Sequence, residues 1–218
     1  MTKEEFLKTF ISPSPNALLK GWPQGNLTQM WADNPNLYSA AFGKHDDFSK
    51  FVCGHSGIDI ATYEGDDVVA AHNGTVSLIL YNNPLGGNVI HLRSDNFNAG
   101  GNECYAVTSY GHLGAIFVQQ GQRVIAGQKI ATQSNTGFVI SGNVAYYWGD
   151  APAGKGVHLH FGYTEHLADG SHRFKNCLGN TCDPLPLIMR DNPDFTGTQI
   201  LLRNMESYLK MLLRTIGS

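Results

Sequence analysis

Gly54-His55-Ser56-Gly57-Ile58-Asp59-Ile60 decides how this chain is read. An imidazole and a carboxylate stand four positions apart, with apolar Ile58 and Ile60 on either side of Asp59. A period-2 strand puts Ile58 and Ile60 on one face and Asp59 on the other. Gly57 lets the backbone bend just before that strand. His55 and Asp59 can then share a pocket, although strand parity leaves the direction of His55 open. Both are zinc-ligand types, and two ligands are not a site.

Outward from this stretch, glycine turns separate short β-rich runs from Gly54 to Tyr163. Val68–Ala71 is followed by Asn73-Gly74, a hairpin signal. Thr75–Tyr81, Asn88–Leu92 and Cys104–Tyr110 read as strands, and Val124–Ala131 as a strand pair around Gly127. Such spacing without intervening helices predicts an antiparallel sandwich or barrel. The 25 glycines among 218 residues exceed the roughly 7 % average and favour the same class.

Two further stretches carry chemistry. His158-Leu159-His160 on a strand points both imidazoles to one side and Leu159 and Phe161 into the other layer. Paired imidazoles in a β core are costly unless they bind something. Tyr110-Gly111-His112-Leu113 places His112 at a strand end beside glycine, where a substrate can approach.

Taken in order, these motifs with Val69-Ala70-Ala71-His72-Asn73-Gly74-Thr75-Val76, Gly86-Gly87-Asn88-Val89-Ile90-His91-Leu92, Val124–Ile130 and Ser134-Asn135-Thr136-Gly137 resemble the M23 zinc metallopeptidases, the lysostaphin-like and LytM-like peptidoglycan endopeptidases. The resemblance spans about 50–165. It implies a mainly β, compact two-sheet or split-barrel core. It implies Zn²⁺ held by His55, Asp59 and His160, with His112 and His158 acting on water and substrate. None of the five positions is substituted, which argues against the non-enzymatic members that lack ligands. The implied activity is zinc-dependent hydrolysis of peptide bonds in peptidoglycan cross-links or stem peptides. A non-enzymatic wall-binding or activator module is the alternative. A histidine phosphocarrier would not require the His55–Asp59 pair.

One departure from the family pattern is the insertion 138–156, which contains Tyr146-Tyr147-Trp148. These aromatics are expected either to wall a peptide groove or to pack as an added hairpin. Around the core 51–165, residues 1–50 read as a lead-in with a short helix over Glu4–Phe10 and a strand near Asn26–Trp31. Residues 166–218 read as loops followed by an amphipathic helix over 198–216. His45, His72, His91, His166 and His172 match loop or strand positions rather than ligand positions.

A net charge of −3 gives no sign of nucleic-acid or anionic-lipid binding. No apolar run approaches the roughly 20 residues of a membrane span, and no secretory h-region is visible. An extracytoplasmic location is expected from the wall substrate. Cys177 and Cys182 could close a short loop in an oxidising compartment, or all four cysteines could be buried small hydrophobes.

Overall fold

The computed structural model describes residues 1–16, 27–29, 55–142, 144–147, 149–176, 180–188 and 209. The fold is mainly β and antiparallel. Among the described residues one large sheet runs β1 (Leu27–Gln29), β2 (Ile58–Ile60), β12 (Leu159–Leu167), β7 (Asn102–Ile116), β5 (Gly87–Ser94), β4 (Gly74–Asn83) and β8 (Arg123–Val124). β3 (Asp67–Val69) pairs β9 (Lys129–Gln133), which joins the far end of β7. β6 (Phe97–Ala99) pairs the near end of β7. β10 (Val139–Ser141) and β11 (Val144–Tyr146) form a separate hairpin.

β7 splits this sheet. From Cys104 to Gly111 it pairs β12, and from Leu113 onward it pairs β9. Between the two partners sits His112, a non-glycine residue with φ of 58°. A left-handed residue inside a strand breaks the alternation and turns the chain. The strand expected to end at His112 therefore bends there and continues to Ile116.

The period-2 readings hold at the centre. Ile58, Ile60, Leu159 and Phe161 are fully buried in one core with Ile90, Leu92, Tyr110 and Leu113. Two local readings are corrected. Asn73-Gly74 makes no hairpin, because β3 pairs β9 while β4 pairs β5 and β8. A tight hairpin of that type needs positive φ at both turn residues, and neither has it. The Asn73 side chain instead accepts from the Ala126 amide at 2.8 Å and ties the crossing to the β8–β9 turn. Likewise β8 and β9 flank the Gly127 turn but pair with β4 and β3 rather than with each other.

The first turns of the N-terminal lead-in, within residues 1–16, pack on this core. A capping box between Thr2 and Glu5 starts α1 (Lys3–Leu7), shorter than the expected Glu4–Phe10. The chain then leaves the helix so that Phe10, like Phe6, is 2 % exposed among core residues. Phe6 stacks on Phe97 at 4.7 Å, and Phe10 meets Tyr163 edge-on at 5.8 Å. Burial of two phenyl rings contributes on the order of 4–6 kcal/mol of transfer free energy as an upper bound. Ile11 and Val69 amides extend the contact by bonding to Ala71 and Pro13 carbonyls.

Of the expected C-terminal helix only Leu209 is described, and it is helical. His45, Trp148, Cys53 and Cys177 lie outside the described residues. Cys104 is a fully buried core residue. Burial, then the charge of Glu165, pushes the Cys182 thiol up to about 12. No helix among the described residues is long and apolar enough to cross a membrane.

Candidate metal centre

Cross-strand register brings the expected ligands together. His160 on β12 lies opposite Asp59 on β2 and opposite Gly111 on β7. His55 enters from the turn before β2. A Cβ at Gly57 would stand 2.9 Å from the His160 ring and 2.5 Å from the Phe161 carbonyl, so only glycine lets this turn close over the site.

Three atoms converge. His55 Nε2 is 3.0 Å from Asp59 Oδ1, His160 Nδ1 is 3.1 Å from the same oxygen, and the two nitrogens are 2.9 Å apart. His55 is 4 % and Asp59 7 % exposed, while the His160 side chain is 22 % exposed, so the cluster is reached by solvent from the His160 side. Tetrahedral zinc with bonds of about 2.0–2.1 Å would separate its ligands by about 3.3 Å. The triangle is slightly tighter than that and has the right donor types, two imidazoles and a carboxylate. It fits zinc. The Asp59–His55–His160 group is also the metal-competent cluster found among the described residues. His72, His91, His166 and His172 stand outside it.

Burial alone would push the Asp59 carboxyl up. Charge on His55 and His158, with hydrogen bonds from His160 and His55, outweighs burial and holds it well below the usual range. Burial, and after it the neighbouring His158 and His160, holds the His112 imidazole well below its ordinary value. Burial also lowers the pKa of the His160 imidazole.

His112 and His158 stand beside the triangle rather than in it. Their ring centroids are 4.4 Å apart, and His158 Nε2 is 3.6 Å from Asp59 Oδ2. His158 precedes β12, which begins at Leu159, so the site reaches past the strand end. Each imidazole is anchored through Nδ1. His112 Nδ1 is 2.7 Å from the Thr136 carbonyl, and His158 Nδ1 is 2.8 Å from the Gly156 carbonyl. A carbonyl only accepts, so Nδ1 carries the proton in both rings, and in the neutral form the lone pair is on Nε2. The His112 amide bonds the Gly86 carbonyl at 2.6 Å, which holds its unusual backbone against the β4–β5 loop.

The family model described as peptidase family M23 matches residues 53–172, more than half of the chain. The chain belongs to peptidase family M23. A curated relative, the peptidoglycan DD-endopeptidase ShyA of Vibrio cholerae, is 33 % identical over 98 residues, 45 % of this chain and 21 % of that protein. An uncharacterised metalloprotease of Haemophilus influenzae is 33 % identical over 92 residues, 42 % of this chain and 18 % of its own length. The chain thus spans about a fifth of the curated relatives it matches. A solved structure of LytU matches with a TM-score of 0.50 and 27 % identity, covering 80 % of this chain and 92 % of that one. For an M23 member, the five histidine and aspartate positions were visible in the motifs. The carbonyls of Thr136 and Gly156 were not, because a backbone oxygen leaves no residue-type signal.

Within 138–156, the stretch expected to depart from the family pattern, β10 and β11 pair as a hairpin. Phe138 packs with Leu85, Ile140, Ala145 and Tyr147 in a satellite cluster, the Phe138 and Tyr147 rings 5.1 Å apart.

Proposed function

We propose that the chain is a zinc-dependent endopeptidase that cleaves peptide bonds in bacterial peptidoglycan, in cross-links or stem peptides, outside the cytoplasm. The observation that carries this reading is a three-donor triangle with two Nδ1-anchored imidazoles beside it. Membership of a peptidase family supports it, as does the name of the Vibrio cholerae relative.

In this reading His55, Asp59 and His160 hold Zn²⁺, and three protein donors leave a fourth position, the pattern of a catalytic site. Bound zinc would polarise the scissile carbonyl and acidify a water. The histidines beside it handle protons. A neutral imidazole takes the proton from the attacking water at Nε2. That ring then gives the same proton to the leaving amine and returns to neutral, while the other imidazole, protonated at Nε2 from solvent, donates a hydrogen bond to the oxygen that gains charge in the tetrahedral intermediate. Both tasks need Nδ1 kept as the donor to backbone, which the Thr136 and Gly156 carbonyls do. Residues 51–165 form the catalytic core of this reading, with 1–50 and 166–218 as extensions.

The test is digestion of intact Gram-positive and Gram-negative cell walls, with released fragments read by mass spectrometry. New peptide ends that vanish with a chelator and return with zinc are expected, and they name the bond. No release from any wall would reject the enzymatic reading in favour of a binding module.

A further inference from the structure

The two carbonyls that anchor His112 and His158 sit at the two feet of the 138–156 insertion. Asn135 stands next to the first foot and is 9 % exposed. Its amide nitrogen donates 3.0 Å to the Pro152 carbonyl and 3.0 Å to the Lys155 carbonyl. Both amide hydrogens are therefore spent on the turn that leads directly to Gly156. The Lys155 amide closes that turn on the Pro152 carbonyl at 3.0 Å. Gly156 has φ of 67°, which aims its carbonyl back at His158, and a Cβ there would press to 3.0 Å on Val139 of the hairpin. Outside the insertion, the Gly154 amide also ties the turn to Glu64 Oε2 at 2.9 Å.

We infer that Asn135 is a positioning residue: by clamping the 152–156 turn it holds the Gly156 carbonyl on His158 Nδ1 and so keeps His158 in the tautomer whose Nε2 faces the site. The neighbouring Thr136 does the same for His112 through its own carbonyl. Its hydroxyl donates to the Leu113 carbonyl at 2.8 Å and accepts from the Asn88 amide at 3.0 Å, which fixes the peptide. One dipeptide thus orients both rings. The insertion is more than a graft on the domain, since its return foot completes the site. A turn without its clamp would leave His158 free to swap tautomers or rotate, because no other described acceptor bonds its Nδ1.

This inference rests on the proposed role of His158. Its decisive readout is the tautomer, which is measured without turnover. Asn135→Asp keeps the side chain's shape and replaces the donors with acceptors facing two carbonyls. In the zinc-loaded full chain, long-range ¹H–¹⁵N spectra of the imidazoles should show His158 as the Nδ1–H form. In Asn135→Asp they should show a mixture with Nε2–H. Turnover should fall about 10- to 100-fold, as for other groups that orient a site residue. KM should stay within about twofold, because substrate binding is not the affected step. An unchanged His158 tautomer in Asn135→Asp overturns the inference. An inactive wild type with the tautomer shift present would reject the enzymatic reading and leave the clamp standing. Should Asn135→Asp fail to fold, Asn135→Ala decides, since it removes both donors from the turn without setting new acceptors against the two carbonyls. A rise in the Nε2–H form of His158 supports the clamp, and an unaltered spectrum overturns it.

Discussion

Two buried carboxylates lie on adjacent strands of the same sheet and have opposite surroundings. Asp59 on β2 faces His55, His158 and His160, all groups that can offer a neutral lone pair. Glu165 on β12, 2 % exposed, faces permanent cations. Lys3 Nζ and Arg173 Nη1 each stand 2.5 Å from its oxygens, and the Tyr163 hydroxyl donates at 2.8 Å. Burial pushes the Glu165 carboxyl up, but Lys3, with Tyr163 and Arg173, brings it below its ordinary value. The difference separates a site from a staple. A carboxylate satisfied by fixed cations has nothing left to bind, and its charge fastens α1 and the 173 loop to β12. A carboxylate among imidazoles gathers donors that a dication would share.

Exchanging each carboxylate for its amide is the strongest way to break this comparison. Asp59→Asn should lose zinc and wall-cleaving turnover together. Glu165→Gln should keep both and lose stability by about 2–3 kcal/mol, because it leaves two cations beside a buried neutral group, offset in part by their partial exposure. Urea denaturation and turnover of the two variants, run in parallel, check both halves. Equal loss of turnover in Glu165→Gln would erase the distinction.

A third buried titratable group sharpens the comparison with a smaller effect. His72 is fully buried between Phe6, Phe10 and Thr108, and burial lowers its pKa from 6.5 to about 4. A neutral His72 donates from Nδ1 to the Asn73 carbonyl at 2.8 Å and accepts at Nε2 from Thr108, 3.0 Å away. A histidine whose folded pKa is depressed adds stability above its unfolded value, and that stability drains as pH falls toward the folded value. The window here runs from 6.5 down to about 4. Between pH 7 and 5 the loss should be about 2 kcal/mol, seen as a lower urea midpoint. His72→Gln should lack this part of the slope. The Glu165 contribution, also lost on acidification, should fade only below the ordinary glutamate value of 4.5.

Much of this is legible in the sequence. Alternation around Asp59 and His160 placed their neighbours in the core, and the ligand set came from the resemblance of the motifs to the M23 peptidases rather than from their spacing. The rest was hidden for physical reasons. Asn73-Gly74 carries hairpin composition, but strand pairing is a tertiary choice, and β3 found β9 instead. Phe10 fell on a helical pattern, yet its ring is used where the chain has already left the helix. The bend of β7 at His112 is a backbone φ that histidine does not announce. The carbonyl anchors of Thr136 and Gly156 depend on where two distant loops meet.

The central claim is a division of labour, with three groups for metal and two imidazoles for protons. Zinc content and turnover of His160→Ala and His158→Ala, measured side by side, test it most directly. The account predicts a His160→Ala protein without zinc or activity. It predicts a His158→Ala protein with about one zinc per chain and turnover reduced by about 10²- to 10⁴-fold. Zinc retained in His160→Ala, or wild-type turnover in His158→Ala, would contradict it.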